Sequence, residues 1–183
     1  ADPVKTGYTF TGWEGYEDGM TMPAENKTFK ATWSANKYLD KFVVDGATVQ
    51  SGEVEFGAAV TKPADPTKEG FTFTGWSPEV PATQGAAAAT YTAQWTVNNY
   101  TVTWDVDGAT TEETYAYGAT INEKAAPTKE GYDFTGWGAE IPATMPAENL
   151  TFTAEWKVQS FTVTWVVDGE IIAVETYKYG AEI

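Results

Sequence analysis

Residues 100–108 read Tyr-Thr-Val-Thr-Trp-Asp-Val-Asp-Gly. Tyr100, Val102, Trp104 and Val106 alternate with polar residues, a period of two that belongs to a half-buried strand and not to a helix. Asp107-Gly108 is a pair that commonly reverses a chain into a hairpin, because Gly tolerates positive φ. The return strand carries Tyr115 and Tyr117 at alternate positions and stops at Gly118. A connection with Pro127-Thr-Lys-Glu-Gly131 leads to Tyr132 and Phe134, then to Thr-Gly-Trp137. Glycine at that place permits a bulge that turns the following Trp onto the core face. Phe152, Ala154 and Trp156 complete a fourth alternating segment.

The same succession recurs. Trp33, Trp95 and Trp156 are 62 and 61 residues apart, as are the Asp-Gly pairs at Asp45, Asp107 and Asp168. Gly12-Trp13, Gly75-Trp76 and Gly136-Trp137 keep nearly the same period, which marks tandem structural repeats. Val54/Phe56 and Tyr177/Tyr179 stand where the third copy has Tyr115/Tyr117, and Phe161, Val163, Trp165 and Val167 repeat the first strand. The repeats divide the chain into 1–33, the second half of a repeat; 34–95 and 96–156, two complete repeats; and 157–183, the first half of another. Each complete repeat is expected to hold about four strands. No segment carries a helical stripe of ten or more residues, and at most a short helical turn fits near 57–66 or 118–127.

The phrase Ala-Pro-Thr-Lys-Glu-Gly-Tyr-Asp-Phe-Thr-Gly-Trp at 126–137, closed by Phe-Thr-Ala-Glu-Trp at 152–156, resembles the Listeria–Bacteroides repeat, also called the internalin-type B repeat. The resemblance spans essentially the whole chain. It implies a mainly β fold of small β-grasp-like modules with little or no helix, in which the first and last strands of a module pair at the sheet centre. Only four residues separate Trp95 from Tyr100 and Trp156 from Phe161, so neighbouring modules are expected to touch end to end as a rod. It also implies a stalk or adhesive segment of an exported bacterial surface protein, with no catalytic residues to carry over. The second copy departs from the pattern: Asp40 has the inward parity of Val102 and Val163, and Ala86–Ala89 replace part of Met-Pro-Ala-Glu-Asn. A slip of one residue would turn Leu39 and Val43 inward instead.

Composition narrows the function classes. The chain has 183 residues and 27 aromatics, enough for a core, with 26 acidic residues against 11 basic ones, all Lys. A net charge of −15 disfavours nucleic acid and anionic membrane surfaces, which recruit Lys and Arg. His and Cys are absent, which removes the ligands that dominate zinc, iron–sulfur and blue-copper sites, and the usual base and thiolate nucleophile. The reading is therefore non-enzymatic and without cofactor. No run of about 20 apolar residues or charged, apolar leader is seen, so Ala1 is expected to start a mature or excised fragment, without direct membrane insertion. The expected location is extracellular, at the cell surface.

Asp105, Asp107 and Gly108 resemble the opening of a calcium loop but lack its further ligands, and turn chemistry accounts for them. The Trp residues are expected in the core; exposed, coplanar Trp76 and Trp137 would instead favour a module that binds carbohydrate or host surfaces. Asn26, Asn99 and Asn149 head glycosylation acceptor patterns and also sit where turns enter strands. Lys41 beside Asp40 suggests an isopeptide crosslink, but adjacent strand residues face opposite ways. Paired carboxylates such as Glu112 with Glu113 or Glu53 with Glu55 are the one enzymatic route left, glycoside hydrolysis, and read as a solvated acidic face.

Partners are expected among copies of this chain or adjacent repeats, with host or cell-wall glycans or proteins as the alternative. Residues 1–33 and 157–183 together amount to about one repeat. The sequence therefore predicts head-to-tail complementation, Phe29, Ala31 and Trp33 of one copy completing Phe161, Val163, Trp165 and Val167 of another, or a continuous longer array.

Overall fold

The protein is described over residues 2–183 in a computed structural model, and these residues form strands and turns without helix. The chain lays down β1 (Tyr8–Trp13), β2 (Ala31–Ala35), β3 (Lys37–Val44), β4 (Ala47–Glu55), β5 (Phe71–Ser77) and β6 (Ala89–Val97). It continues with β7 (Asn99–Val106), β8 (Ala109–Ala116), β9 (Tyr132–Gly136), β10 (Leu150–Thr153), β11 (Glu155–Val158), β12 (Ser160–Val167) and β13 (Glu170–Lys178). Two compact units result: Ala1–Lys68 with Thr72–Thr96, and Glu69–Phe71 with Val97–Ile183. The fold is mainly β, as the alternation requires.

Asp45, Asp107 and Asp168 take φ of 48°, 53° and 52°, each followed by a Gly at 84° to 88°. Two successive left-handed residues make the turn whose twist matches that of the strands it joins, giving the hairpins β3–β4, β7–β8 and β12–β13. Gly12, Gly75 and Gly136 lie at φ of 133° to 147°. The register slips between Phe10 and Gly12, the bulge that the Gly-Trp spacing calls for.

In the first unit the sheet order is β4-β3-β6-β5, so the first and last strands of the repeat are central and parallel, with Asp40 opposite Ala89 and Phe42 opposite Tyr91. Phe42 and Tyr91 are fully buried there. The one-residue slip does not occur: Asp40 points inward and is 3% exposed, whereas Leu39 is 41% exposed. Phe42 settles the register, because its ring packs at 5.0 Å against both Trp76 and Tyr91, and one slip would turn it out to water.

The second unit repeats the plan with one change. β10 pairs in parallel with β7 through Leu150–Val102 and Phe152–Trp104, and β11 pairs antiparallel with β9. The fourth segment is thus split at Ala154, whose N–H donates to Asp105 O at 2.8 Å while its neighbours change partners. Val102, Trp104, Ile121, Trp137, Met145, Phe152 and Ala154 form its core. No helical turn forms at 57–66 or 118–127; Ala59 bridges Thr83 and Thr120 bridges Thr144 instead.

One joint appears three times. Gly7 O, Gly70 O and Gly131 O accept from the backbone N–H of Asn36, Asn98 and Gln159, whose carbonyls accept from Phe56, Tyr117 and Tyr179 in turn. Each of these rings lies over the glycine, and a Cβ on Gly7, Gly70 or Gly131 would overlap it. The glycines are also at φ of 74° to 77°, where a side chain is strained by itself. Gly57, at φ 79°, has no atom within 4 Å of a Cβ and isolates the backbone part. Gly57→Ala is expected to cost about 1 kcal/mol and Gly70→Ala about 3 kcal/mol. Tyr117→Ala should reduce that difference in a double-mutant cycle, read by denaturant midpoints from Trp fluorescence.

Candidate functional site

Every complete repeat has a ring cluster on the inward face. Phe73 packs edge-on against Trp76 and Trp95, as Phe134 does against Trp137 and Trp156, with centroids 5.3–5.8 Å apart. The first hairpin closes the cluster: Phe42 meets Trp76, and Trp104 lies 4.8 Å from Trp137 and 5.1 Å from Phe152. Trp137 is therefore a buried core wedge and Trp76 a half-buried one, each set edge-on to its neighbours, and neither is an exposed platform.

The β1–β2 segment and the β12–β13 hairpin each carry one part of this cluster. Phe10 packs on Trp13 and Trp33 in the usual way, but Trp13 is 41% exposed where Trp137 is 4% exposed. Met22 is 73% exposed, whereas its counterpart Met145 is 1% exposed. Trp165 is 43% exposed and Trp104 not at all. Phe29 and Ala31 are half-buried with Trp33, yet Phe29 precedes β2 and leans on Tyr16, a correction to the expected strand. Its counterparts Tyr91 and Phe152 are held in strand by β3 and β7, and among the described residues no parallel strand lies beside residues 26–30. Among the described residues β12 pairs with β13 alone, leaving its second edge free; Val163 is half-buried, while Phe161 and Val167 are exposed.

Polar candidates resolve into turn and strand chemistry. Asp105 Oδ1 accepts from Gly108 N at 2.7 Å, and Asp107 takes the Lys129 ammonium at 2.9 Å. Asn149 Oδ1 accepts from Thr101 N at 2.8 Å; Asn26, Asn99 and Asn149 are all exposed. Lys41 is exposed, on the face opposite Asp40. Glu112 and Glu113 face opposite sides, and Glu55 lies 3.7 Å from Lys37, so neither acidic pair frames a cleft.

Sequence reasoning missed the role of the recurrent lysine. Lys68 and Lys129 reach Asp45 and Asp107 of the hairpin turns while lying over Trp95 and Trp156, at 5.7 and 5.4 Å from the ring centroids. Lys5 stands likewise 5.7 Å from Trp33. The Pro-Thr-Lys-Glu-Gly motif therefore couples a turn aspartate to a core-edge ring, and the shared period of Lys, Asp and Trp was its signal.

A second polar group also recurs. Tyr115 Oη donates to Glu113 at 2.7 Å, and Lys124 Nζ lies 2.6 Å from Thr111 Oγ1 and 3.4 Å from Glu113. Tyr177 and Trp165 Nε1 both donate to Glu175 in the last hairpin. The Tyr115 hydrogen bond holds the Glu113 carboxyl below its ordinary value; Lys124 adds to this against partial desolvation. The same bond, with desolvation, raises the Tyr115 hydroxyl.

Residues 38–98 and 100–155 match the Listeria-Bacteroides repeat domain, and residues 1–37 match the divergent InlB B-repeat domain. The chain belongs to this repeat family. Its relatives include a protein of Evansella cellulosilytica whose name describes a membrane protein, 31% identical over 99% of this chain and 32% of that protein. Another protein of the same organism, whose name describes a Gly-rich membrane protein, is 32% identical over 91% of this chain and 23% of its own length. Internalin H of Listeria monocytogenes is 37% identical over 65% of this chain and 25% of its own length. The chain thus spans at most a third of these relatives.

Because Glu113 is depressed in the folded state, its stabilisation is present above the unfolded value near 4.5 and is lost as pH falls through the lower folded value. The melting temperature of the wild type should exceed that of Glu113→Gln at neutral pH, and the difference should vanish in acid. Above pH 10 the wild type should also lose the part contributed by the raised Tyr115 hydroxyl.

Proposed function

We propose that this chain is a non-catalytic stalk or adhesive segment of a bacterial cell-surface protein, and that its β12–β13 hairpin is completed by the β1–β2 segment of a second copy. Membership of a repeat family shared with internalin H supports the surface setting. The observation that carries the assembly is the matched exposure of Trp13, Met22 and Trp165, set against the burial of Trp137, Met145 and Trp104 in the intact repeat.

The second unit supplies the template. Residues 27–30 of one copy would extend as a parallel strand on the free edge of β12, in the register of Leu150–Thr153 on Val102–Asp105. Phe29 and Trp13 would then enclose Trp165, as Phe152 and Trp137 enclose Trp104. Met22 would reach the Tyr179-Gly180 corner, as Met145 exchanges backbone hydrogen bonds with Gly118 and Ala119 at 2.9 and 2.8 Å. Each added strand satisfies a row of edge N–H and C=O groups and buries large aromatic surface, the two terms that drive strand complementation. The interface is heterologous, so it propagates unless one end is blocked.

Sedimentation velocity over a range of concentrations should show oligomers that grow with concentration. Phe29→Asp blocks one surface and Trp165→Asp the other, so each variant alone should stay monomeric. Their equimolar mixture should stop at a heterodimer, because it contains one good joint and two blocked ends. A wild type that stays monomeric at millimolar concentration, or a mixture that forms no dimer, would overturn the assembly.

A further inference from the structure

The second and third copies place a carboxyl group at the same spot from opposite strands. In the third copy Val102 faces Glu113 across the β7–β8 pair; in the second Asp40 faces Gly52 across β3–β4. Glu113 is engaged by Tyr115 and by the ammonium of Lys124, which also bonds Thr111. The corresponding positions in the second copy are Val54, Pro63 and Gln50, so it keeps the acid and loses both the phenol and the ammonium.

The volume those side chains would occupy is a cavity of about 120 Å3, lined by Asp40, Gln50, Gly52, Val54, Val60 and Thr61 among others. Asp40 is 3% exposed; its Oδ1 accepts from Ala89 N at 3.3 Å, and its Oδ2 has no hydrogen-bond partner among the described residues. An unpaired buried carboxyl oxygen is costly, and native structures seldom leave one without a reason. Gln50 donates its Nε2 to Thr61 O at 2.8 Å, which leaves the amide oxygen free to accept.

We infer that this cavity binds a primary alkylammonium group, with Asp40 as the counter-charge and the Gln50 amide oxygen as a second acceptor. The third copy shows the chemistry within the same fold, an ammonium held between a carboxylate and a neutral oxygen acceptor. The walls favour an organic cation over a metal ion: Phe42, Val54, Ala59 and Val60 suit methylenes, whereas calcium asks for six to eight oxygen ligands. About 120 Å3 accommodates an aminomethyl tip together with a water or two, each of about 30 Å3. The ammonium can come from a lysine side chain on another protein or from a small free amine.

The test is a titration followed by amide NMR of the whole chain, with ethylammonium chloride, Nα-acetyl-lysine methylamide and potassium chloride at matched ionic strength. Saturable shifts at Gln50, Thr61 and Ala89 are expected with ethylammonium and not with potassium, while Val102 and Glu113 stay still. The lysine derivative shifts the same amides if a protein lysine is the natural source; silence from it alone assigns the site to free amines. Asp40→Asn keeps the volume and should weaken binding at least tenfold, and Asp40→Val, which installs the residue of the other copies, should abolish it. Gly52→Leu is a second check, since Gly52 is not at positive φ and a Cβ there meets nothing within 4 Å; it fills the cavity without adding charge and should also abolish the shifts. Equal shifts with potassium, no saturation by 100 mM amine, or unchanged binding in Asp40→Asn would overturn the site.

Discussion

The parallel pairing of a repeat's last strand with its first is the contact on which the other layers depend. It joins residues about 50 apart in sequence, Phe42 with Tyr91 and Trp104 with Phe152, so it closes the loop that contains everything else in the repeat. With it in place, the hairpin has a neighbour on its inner edge and the Gly-Trp wedge has a ring to press against. Without it, as at β12–β13, the hairpin keeps its hydrogen bonds and turn but leaves Trp165 in water. Local signals therefore suffice for the hairpin, while the core is a property of the closed repeat. An isolated hairpin is marginal in water for this reason.

The glycine joints act at a different level. Each places an aromatic ring where any side chain would be, and threads two backbone hydrogen bonds through one amide-bearing residue, Asn36, Asn98 or Gln159. The lysine of the same motif reaches a turn aspartate and the ring of the last-strand Trp. The lysine and the glycine of one motif thus hold turn, core edge and joint in one arrangement, and their fixed spacing matches the fixed distance between those partners.

Much of this was legible because it is local. Period two gave the strands, Asp-Gly the hairpins, and Gly before Trp the bulge, each a consequence of backbone geometry over a few residues. That the first and last strands pair at the centre came from the family resemblance, and their parallel direction from the structure; alternation alone does not say which strands meet. Three features escaped for a common reason, that they depend on distant partners. Phe29 is not in a strand, because it lacks what β3 gives Tyr91. The last strand of the third copy divides at Ala154, where its partner changes from β7 to β9. The letters alone leave open whether Asp40 keeps the inward parity that its position gives it or slips; the burial of Phe42 outweighs the discomfort of one acid and keeps it inward. The exchange of Asp40/Gly52 for Val102/Glu113 was visible in the letters but had meaning only once the strands were paired.

The parallel central pair also decides how a repeat meets tension. In the third copy the chain enters β7 just after Asn98 and leaves β11 just before Gln159, and both residues belong to joints. Because β7 and β10 run the same way, a pull applied at those two points drags neighbouring strands in opposite directions along their length. The rungs of the ladder then share the force and must break together, whereas an antiparallel pair pulled from one end opens rung by rung. Resistance to pulling is set by the rate of unfolding, not by equilibrium stability. A repeat of this design can therefore hold its shape under drag even when its thermodynamic stability is ordinary.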